Sequence, residues 1–129
     1  MSVRIPRRLT VFGAALITIS GVVNTVLGVR IGAVLYDPYP GGKMGHVGII
    51  AGIVAVAIGF VIWFGVVRLY DDRRRGRLAL AGLLTVILGH AGAVAGAIYV
   101  GTLGLALCYT AGAWALVLAA RGPRTKAAD

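Results

Sequence analysis

Residues 78–120 form one apolar stretch of 43 residues that contains no formal charge. As a single α-helix it would extend about 65 Å, roughly twice the hydrocarbon thickness of a bilayer. The stretch must therefore double back as a helical hairpin. The best turn signal is Tyr99-Val100-Gly101-Thr102, where an interfacial tyrosine meets glycine and a polar residue. That places two spans at 78–98 and 103–120. Two further apolar runs occupy 9–29 and 47–67. Arg4, Arg7 and Arg8 ahead of the first run could open a signal peptide. No small-x-small cleavage pattern follows, however, and the run is too long for a signal-peptide core, so it reads as a retained anchor. The expected fold is all-α: residues 1–129 as a single integral membrane domain, a bundle of four transmembrane helices.

Composition agrees. Hydrophobic residues make up 59% of the chain and charged residues only 13%, whereas soluble domains carry about a quarter charged residues. A water-soluble chain this short has too little interior to hide that much apolar surface. The formal net charge of +9 would suggest nucleic acid in a soluble protein, but the placement of the charges argues otherwise. Of 13 Lys and Arg residues, 11 fall in the N-terminal tail, the 68–77 loop or the C-terminal tail; Arg30 and Lys43 alone lie between the first two spans. The positive-inside rule then puts both termini in the cytoplasm and makes the chain a multi-pass protein of the plasma membrane. In "DDRRRGR", Arg73, Arg74, Arg75 and Arg77 read as topology determinants that meet lipid phosphates. The expected partners are the bilayer and a second copy or another membrane protein, with no nucleic acid.

Helical periodicity divides each span into a small-residue face and a bulky one. Gly13, Ser20, Gly21, Asn24 and Gly28 align opposite Ile19, Val22 and Val26; Gly48, Gly52, Ala55 and Gly59 align opposite Ile50, Ile53, Phe60 and Phe64. Gly82, Thr85, Gly89, Gly92 and Gly96 share a face of the third span. In the fourth, Gly104, Cys108, Ala111 and Ala115 oppose Leu103, Leu107, Trp114 and Val117. Helices in lipid associate through close backbone approach, so these glycine- and alanine-rich seams predict a tight bundle whose central cavity is narrow or absent.

Polar chemistry is sparse. The chain has no glutamate, and Asp37, Asp71, Asp72 and Asp129 all fall in loops or the tail. A four-helix exporter driven by a membrane-embedded glutamate is excluded. No nucleophile–base pair, carboxylate dyad or phosphate-binding loop is present, so no enzyme is expected, and no cofactor. His90 is the one ionisable side chain deep in a span. Within one subunit it cannot share a haem with His46, which begins the second span, because it lies about 13 Å below the predicted turn. A single-histidine haem site at His90 stays open. The expected role of His90 is a neutral hydrogen-bonding group, with Asn24 of the first span as its natural partner. Asp37 and His46 are candidate metal ligands, but two ligands at uncontrolled spacing favour an ordinary turn in "YDPYPGGKMGH".

Two features resemble a group of short four-helix membrane proteins of actinobacteria that have no assigned activity. One is G-x-x-N-x-x-x-G in the first span, Gly21, Asn24 and Gly28; the other is Gly45-His46 ahead of "GIIAGIVAVAIG". The resemblance covers about residues 10–120 and implies architecture alone; the tryptophan expected beside the His46 position is missing here. Three functional readings are compatible with these features. The leading one is a non-enzymatic accessory or structural subunit of a membrane complex. The second is an oligomeric small-molecule or ion channel lined by Asn24 and His90, and the third a single-histidine haem or redox-accessory protein.

Overall fold

The computed structural model describes residues 2–31, 45–71, 74–96 and 98–121. Asp37, with the rest of residues 32–44, and Arg73 lie outside these residues. Among those described are four helices long and apolar enough to cross a membrane, the architecture of a multi-pass membrane protein. Helix α1 is Arg4–Ile31. Helix α2 runs through Gly45–Val61, a π-helical turn at Ile62–Val66 and a last turn at Val67–Leu69. Helix α3 is Arg75–Gly96 and α4 is Ile98–Arg121.

Helix α1 starts earlier than its apolar run. Ser2 Oγ accepts the Arg4 backbone N–H at 3.2 Å and caps the helix. Pro6 is harmless in the first turn, where N–H groups have no intrahelical partner. At the other hairpin the turn differs from expectation. Tyr99-Val100-Gly101-Thr102 is not the turn but lies inside α4, because α3 stops at Gly96 and α4 begins at Ile98. Both Gly96 and Gly101 could have broken the helix. Packing decides between them: a Cβ on Gly101 would stand 3.2 Å from the Ala93 carbonyl oxygen, so Gly101 serves the close passage of α4 beside α3.

The glycine contacts give the whole topology. A Cβ on Gly21 would lie 2.7 Å from the Gly52 carbonyl oxygen, one on Gly13 3.0 Å from that of Gly104, and one on Gly82 2.8 Å from that of Gly112. So α1 packs antiparallel to α2 and α4, and α3 antiparallel to α4. Cys108 is the knob where three helices meet: its Sγ stands 2.7 Å from a Cβ on Gly13, and its Cβ 2.5 Å from one on Gly89. Helices α1 and α3 also touch across the diagonal, where Ile17 Cγ2 stands 2.7 Å from a Cβ on Gly92. Among the described residues α2 and α4 do not touch. The short diagonal closes the centre of the bundle. The seams read from periodicity are buried at every described position, while Ile19, Val22, Val26, Ile50, Ile53, Phe60, Phe64, Leu103 and Val117 point outward. Leu107 and Trp114 depart from that pattern: both are half-buried, at the border of the α4 seam.

The π turn resets the register of the helix beyond it. The Val67 N–H reaches back five residues to the Ile62 carbonyl, so the turn absorbs one extra residue. At about 100° per residue, a regular helix would set Val67 about 140° and Tyr70 about 80° away from Ile62. With one residue absorbed, those offsets become about 40° and 20°. Both side chains are buried with Ile62, Tyr70 at 1% exposure. The wide turn returns the end of α2 to the core.

Candidate functional site

Alternating helix directions gather the start of α1, the end of α2, the start of α3 and the end of α4 at one end of the molecule. Arg4, Arg7, Arg8, Arg68, Arg74, Arg75, Arg77 and Arg121 sit there, all exposed. Arg7 Nε lies 3.1 Å from Asp71 Oδ1. Both side chains are open to solvent, so the pair contributes at most about 1 kcal/mol.

Just inside this arginine-bearing end lies a polar cluster that periodicity does not single out. The Tyr70 hydroxyl stands 3.1 Å from Thr10 Oγ1 of α1 and 2.9 Å from Thr85 Oγ1 of α3, and all three residues are buried. Thr85 donates to the Ala81 carbonyl at 2.7 Å. Its single proton is thereby used, so Tyr70 donates to Thr85 and accepts from Thr10. Thr10 also lies 2.9 Å from the Pro6 carbonyl. The single Thr10 proton is thus shared between the Tyr70 oxygen and the nearer Pro6 carbonyl, and the three hydroxyls join three helices. Burial pushes the Tyr70 pKa above its ordinary value of 10, and the hydrogen bonds with the two threonines partly offset the rise. The phenol is therefore a neutral, structural group. Its signal in the sequence is Tyr70 directly after the second span; the register to Thr10 and Thr85 passes through the π turn, which has no mark in the residue pattern.

His90 occupies a different surface. It is exposed, on the outer side of α3, with Nδ1 3.2 Å from the Tyr109 hydroxyl of α4 and the rings edge to face at 77°. The hydrogen bond expected with Asn24 is thus made with Tyr109 instead, within the α3–α4 hairpin. Antiparallel neighbours bring positions 90 and 109 side by side, whereas Asn24 is turned into the bundle at 3% exposure. Asn24 and His90 consequently line no common path within one chain. Because α3 ends at Gly96, His90 lies six residues, about 9 Å, below that end rather than 13 Å.

His46 is the second residue of α2. With Gly92 packed on Ile58, the backbones at 46 and 90 are about 21 Å apart along the bundle axis, fourteen residues of helical rise. The geometry again separates them as a haem pair. Asp37, the other candidate metal ligand, falls outside the described residues. Among those described, no three His, Cys, Asp or Glu residues gather as a metal site. Arg74, Arg75 and Arg77 are exposed at the arginine-bearing end.

A shallow apolar groove of about 380 Å³ runs between α1 and α2, lined by Ala15, Thr18, Ile19, Phe60, Trp63 and Phe64. Phe60 and Phe64 stack along its edge at 5.9 Å. Thr18 turns its hydroxyl back to the Ala14 carbonyl at 2.8 Å, which leaves a wall of hydrocarbon. On α4 the Trp114 indole nitrogen is enclosed and, among the described residues, has no acceptor. Comparison with known proteins adds no relative: no family model matches the chain, and neither a curated protein nor a solved structure matches it.

Proposed function

We propose that this chain is a non-enzymatic accessory or structural subunit of a membrane complex, a multi-pass protein of the plasma membrane with both termini in the cytoplasm. The observation that carries the reading is the contrast between inside and outside. The centre is closed by the α1–α3 diagonal and filled by Ile17, Cys108 and Thr85. The polar pair His90–Tyr109, in contrast, faces outward where hydrocarbon offers it nothing. A protein closed within and equipped without acts through the helices it packs against. The collected arginines support the orientation, since cytoplasmic loops carry the excess of Lys and Arg.

The test is purification of the tagged chain from its native locus after mild solubilisation, followed by native electrophoresis and mass spectrometry. Stoichiometric recovery of another membrane protein is the expected result; a chain that elutes without any other protein refutes the subunit reading. Fluorescent-protein and alkaline-phosphatase fusions at the C-terminus check the orientation. Fluorescence without phosphatase activity is expected, and the reverse pattern overturns it.

A further inference from the structure

The outward side of α4 carries a regular seam. Thr102, Ala106, Tyr109, Ala113, Leu116 and Ala120 are all exposed. They succeed one another at intervals of four, three, four, three and four residues, the spacing that holds one edge of a helix against another over a whole span. Alanine occupies every second position, which lets a neighbouring backbone come close. This seam lies on the side of α4 away from Gly104, Cys108 and Ala111, the positions that pack into the chain's own core.

Beside the middle of the seam stands the His90–Tyr109 pair. Whichever neutral tautomer the imidazole adopts, one ring nitrogen is engaged by the Tyr109 oxygen. The pair is then left with one unused N–H or O–H donor and one unused acceptor. Among the described residues neither meets a further partner. Helix α3, 22 residues long, extends about 32 Å, close to the hydrocarbon thickness. His90, six residues from its end, therefore sits within hydrocarbon, where an unmet polar group is costly.

From this we infer that the seam and the His90–Tyr109 pair form the interface of a homodimer, whose two-fold axis runs along the membrane normal. The inference rests on the reading that the chain works through helix association. Both copies insert the same way round, so such an axis keeps every residue of the second copy at its own depth. The two α4 helices then pack in parallel, each alanine layer against itself. The leftover donor of each copy finds the leftover acceptor of the other, and two reciprocal hydrogen bonds close a ring over both histidines and both tyrosines. A different membrane protein would have to bring one donor and one acceptor to that depth independently. A second copy brings them by symmetry, which is the logic of an isologous contact.

The experiment uses the full chain in membranes. Ala106→Cys is expected to give a disulfide-linked dimer on mild oxidation, whereas Leu103→Cys, equally outward but about 100° around α4 from the midline of the seam, gives little. The native Cys108, fully buried, does not contribute. Energy transfer between labelled chains under lipid dilution then measures the dimer constant. His90→Phe and Tyr109→Phe are each expected to lower it about eight-fold, roughly three-fold for each of the two bonds lost. Circular dichroism and continued protection of Cys108 verify that the variants fold. No dimer from Ala106→Cys, equal crosslinking from Leu103→Cys, or a dimer constant indifferent to both aromatic substitutions overturns the proposal. The outcomes separate cleanly from those for the subunit reading. A chain that purifies with another protein but fails to crosslink loses the dimer alone; a crosslinked chain that purifies with nothing else loses the subunit alone.

Discussion

Removing one residue from the middle of a membrane-spanning helix ordinarily rotates everything beyond it, yet deletion of Gly65 is expected to leave this bundle intact. The π turn at Ile62–Val66 contains one residue more than a regular turn needs. Gly65 is exposed, and a Cβ there would meet nothing within 4 Å. Deletion converts the wide turn to a regular one, and Tyr70 keeps its place about 20° from Ile62. The expected change in unfolding free energy is within about 1 kcal/mol, the scale of one rearranged backbone hydrogen bond. If the turn were not absorbing the register, Val67 and Tyr70 would swing about 100° out of the core. Turning those two side chains out of the core forfeits their packing contacts and the hydroxyl chain, whose hydrogen bonds contribute about 0.6 kcal/mol each in a membrane. Deletion of Ala57, in the regular part of α2 and also exposed, is the comparator, because it turns Gly59 and Ile62 away from α1. Reversible unfolding in mixed micelles by titration with a denaturing detergent, followed by circular dichroism, measures both. If the two deletions destabilise equally, the register argument is wrong.

Gly52→Ala tests the α1–α2 seam: its Cβ would lie 2.5 Å from the Gly21 carbonyl oxygen, about 0.9 Å inside ordinary contact, and backbone cannot rotate away. A loss of about 1–3 kcal/mol is expected on the same titration, against a gain of about 0.5–1 kcal/mol for Gly65→Ala; equal effects would refute the seam. Tyr70→Phe should cost about 1 kcal/mol, because Thr10 and Thr85 keep their carbonyl acceptors. Since the folded Tyr70 pKa is raised, its contribution is fully present below pH 10 and is lost as pH climbs through the folded value. A late-titrating component of tyrosinate absorbance that disappears in Tyr70→Phe checks this, and all tyrosines titrating together near pH 10 would contradict it. Cys108 should resist a membrane-permeant maleimide until the bundle is unfolded, and Cys108→Leu should destabilise by about 1–3 kcal/mol through overpacking between Gly13 and Gly89. Rapid labelling of the folded chain would place the residue outside the three-helix junction. His90→Leu should leave the protein inserted and only modestly less stable, by about 0.6 kcal/mol for its bond to Tyr109; loss of the folded chain on blue-native gels would show a larger role.

Much of this arrangement is written in periodicity. Glycine, alanine, serine and threonine at helical spacing identify the buried face of all four helices, because close backbone approach is the main attraction available between apolar helices. The hairpin within 78–120 follows from length alone. Its turn does not, since Gly96 and Gly101 are chemically equal as breakers. Only the contact of Gly101 with the Ala93 backbone shows which one had to stay helical. Leu107 and Trp114 mark a similar limit. Angle around an isolated helix places them outward, but how far a neighbour wraps around that helix decides whether the border is covered.

The two polar clusters show why site residues are harder to read than the fold. Tyr70, Thr10 and Thr85 meet because a one-residue excess is absorbed at Ile62–Val66. A rule that advances about 100° per residue carries an error of about 100° past any such turn and sends Tyr70 off the core. His90 poses the opposite difficulty. It is exposed on the outer side of α3, whereas the reading from sequence points inward to Asn24 as its partner. The actual partner lies outward, on the neighbouring arm of the hairpin, at a position that periodicity leaves to lipid. A polar side chain in an apolar span is read most safely by asking which adjacent helix can reach it from the outside as well as from the core. For His90 and Tyr109 that question continues past the chain itself, because the donor and acceptor they leave over match those of a second copy.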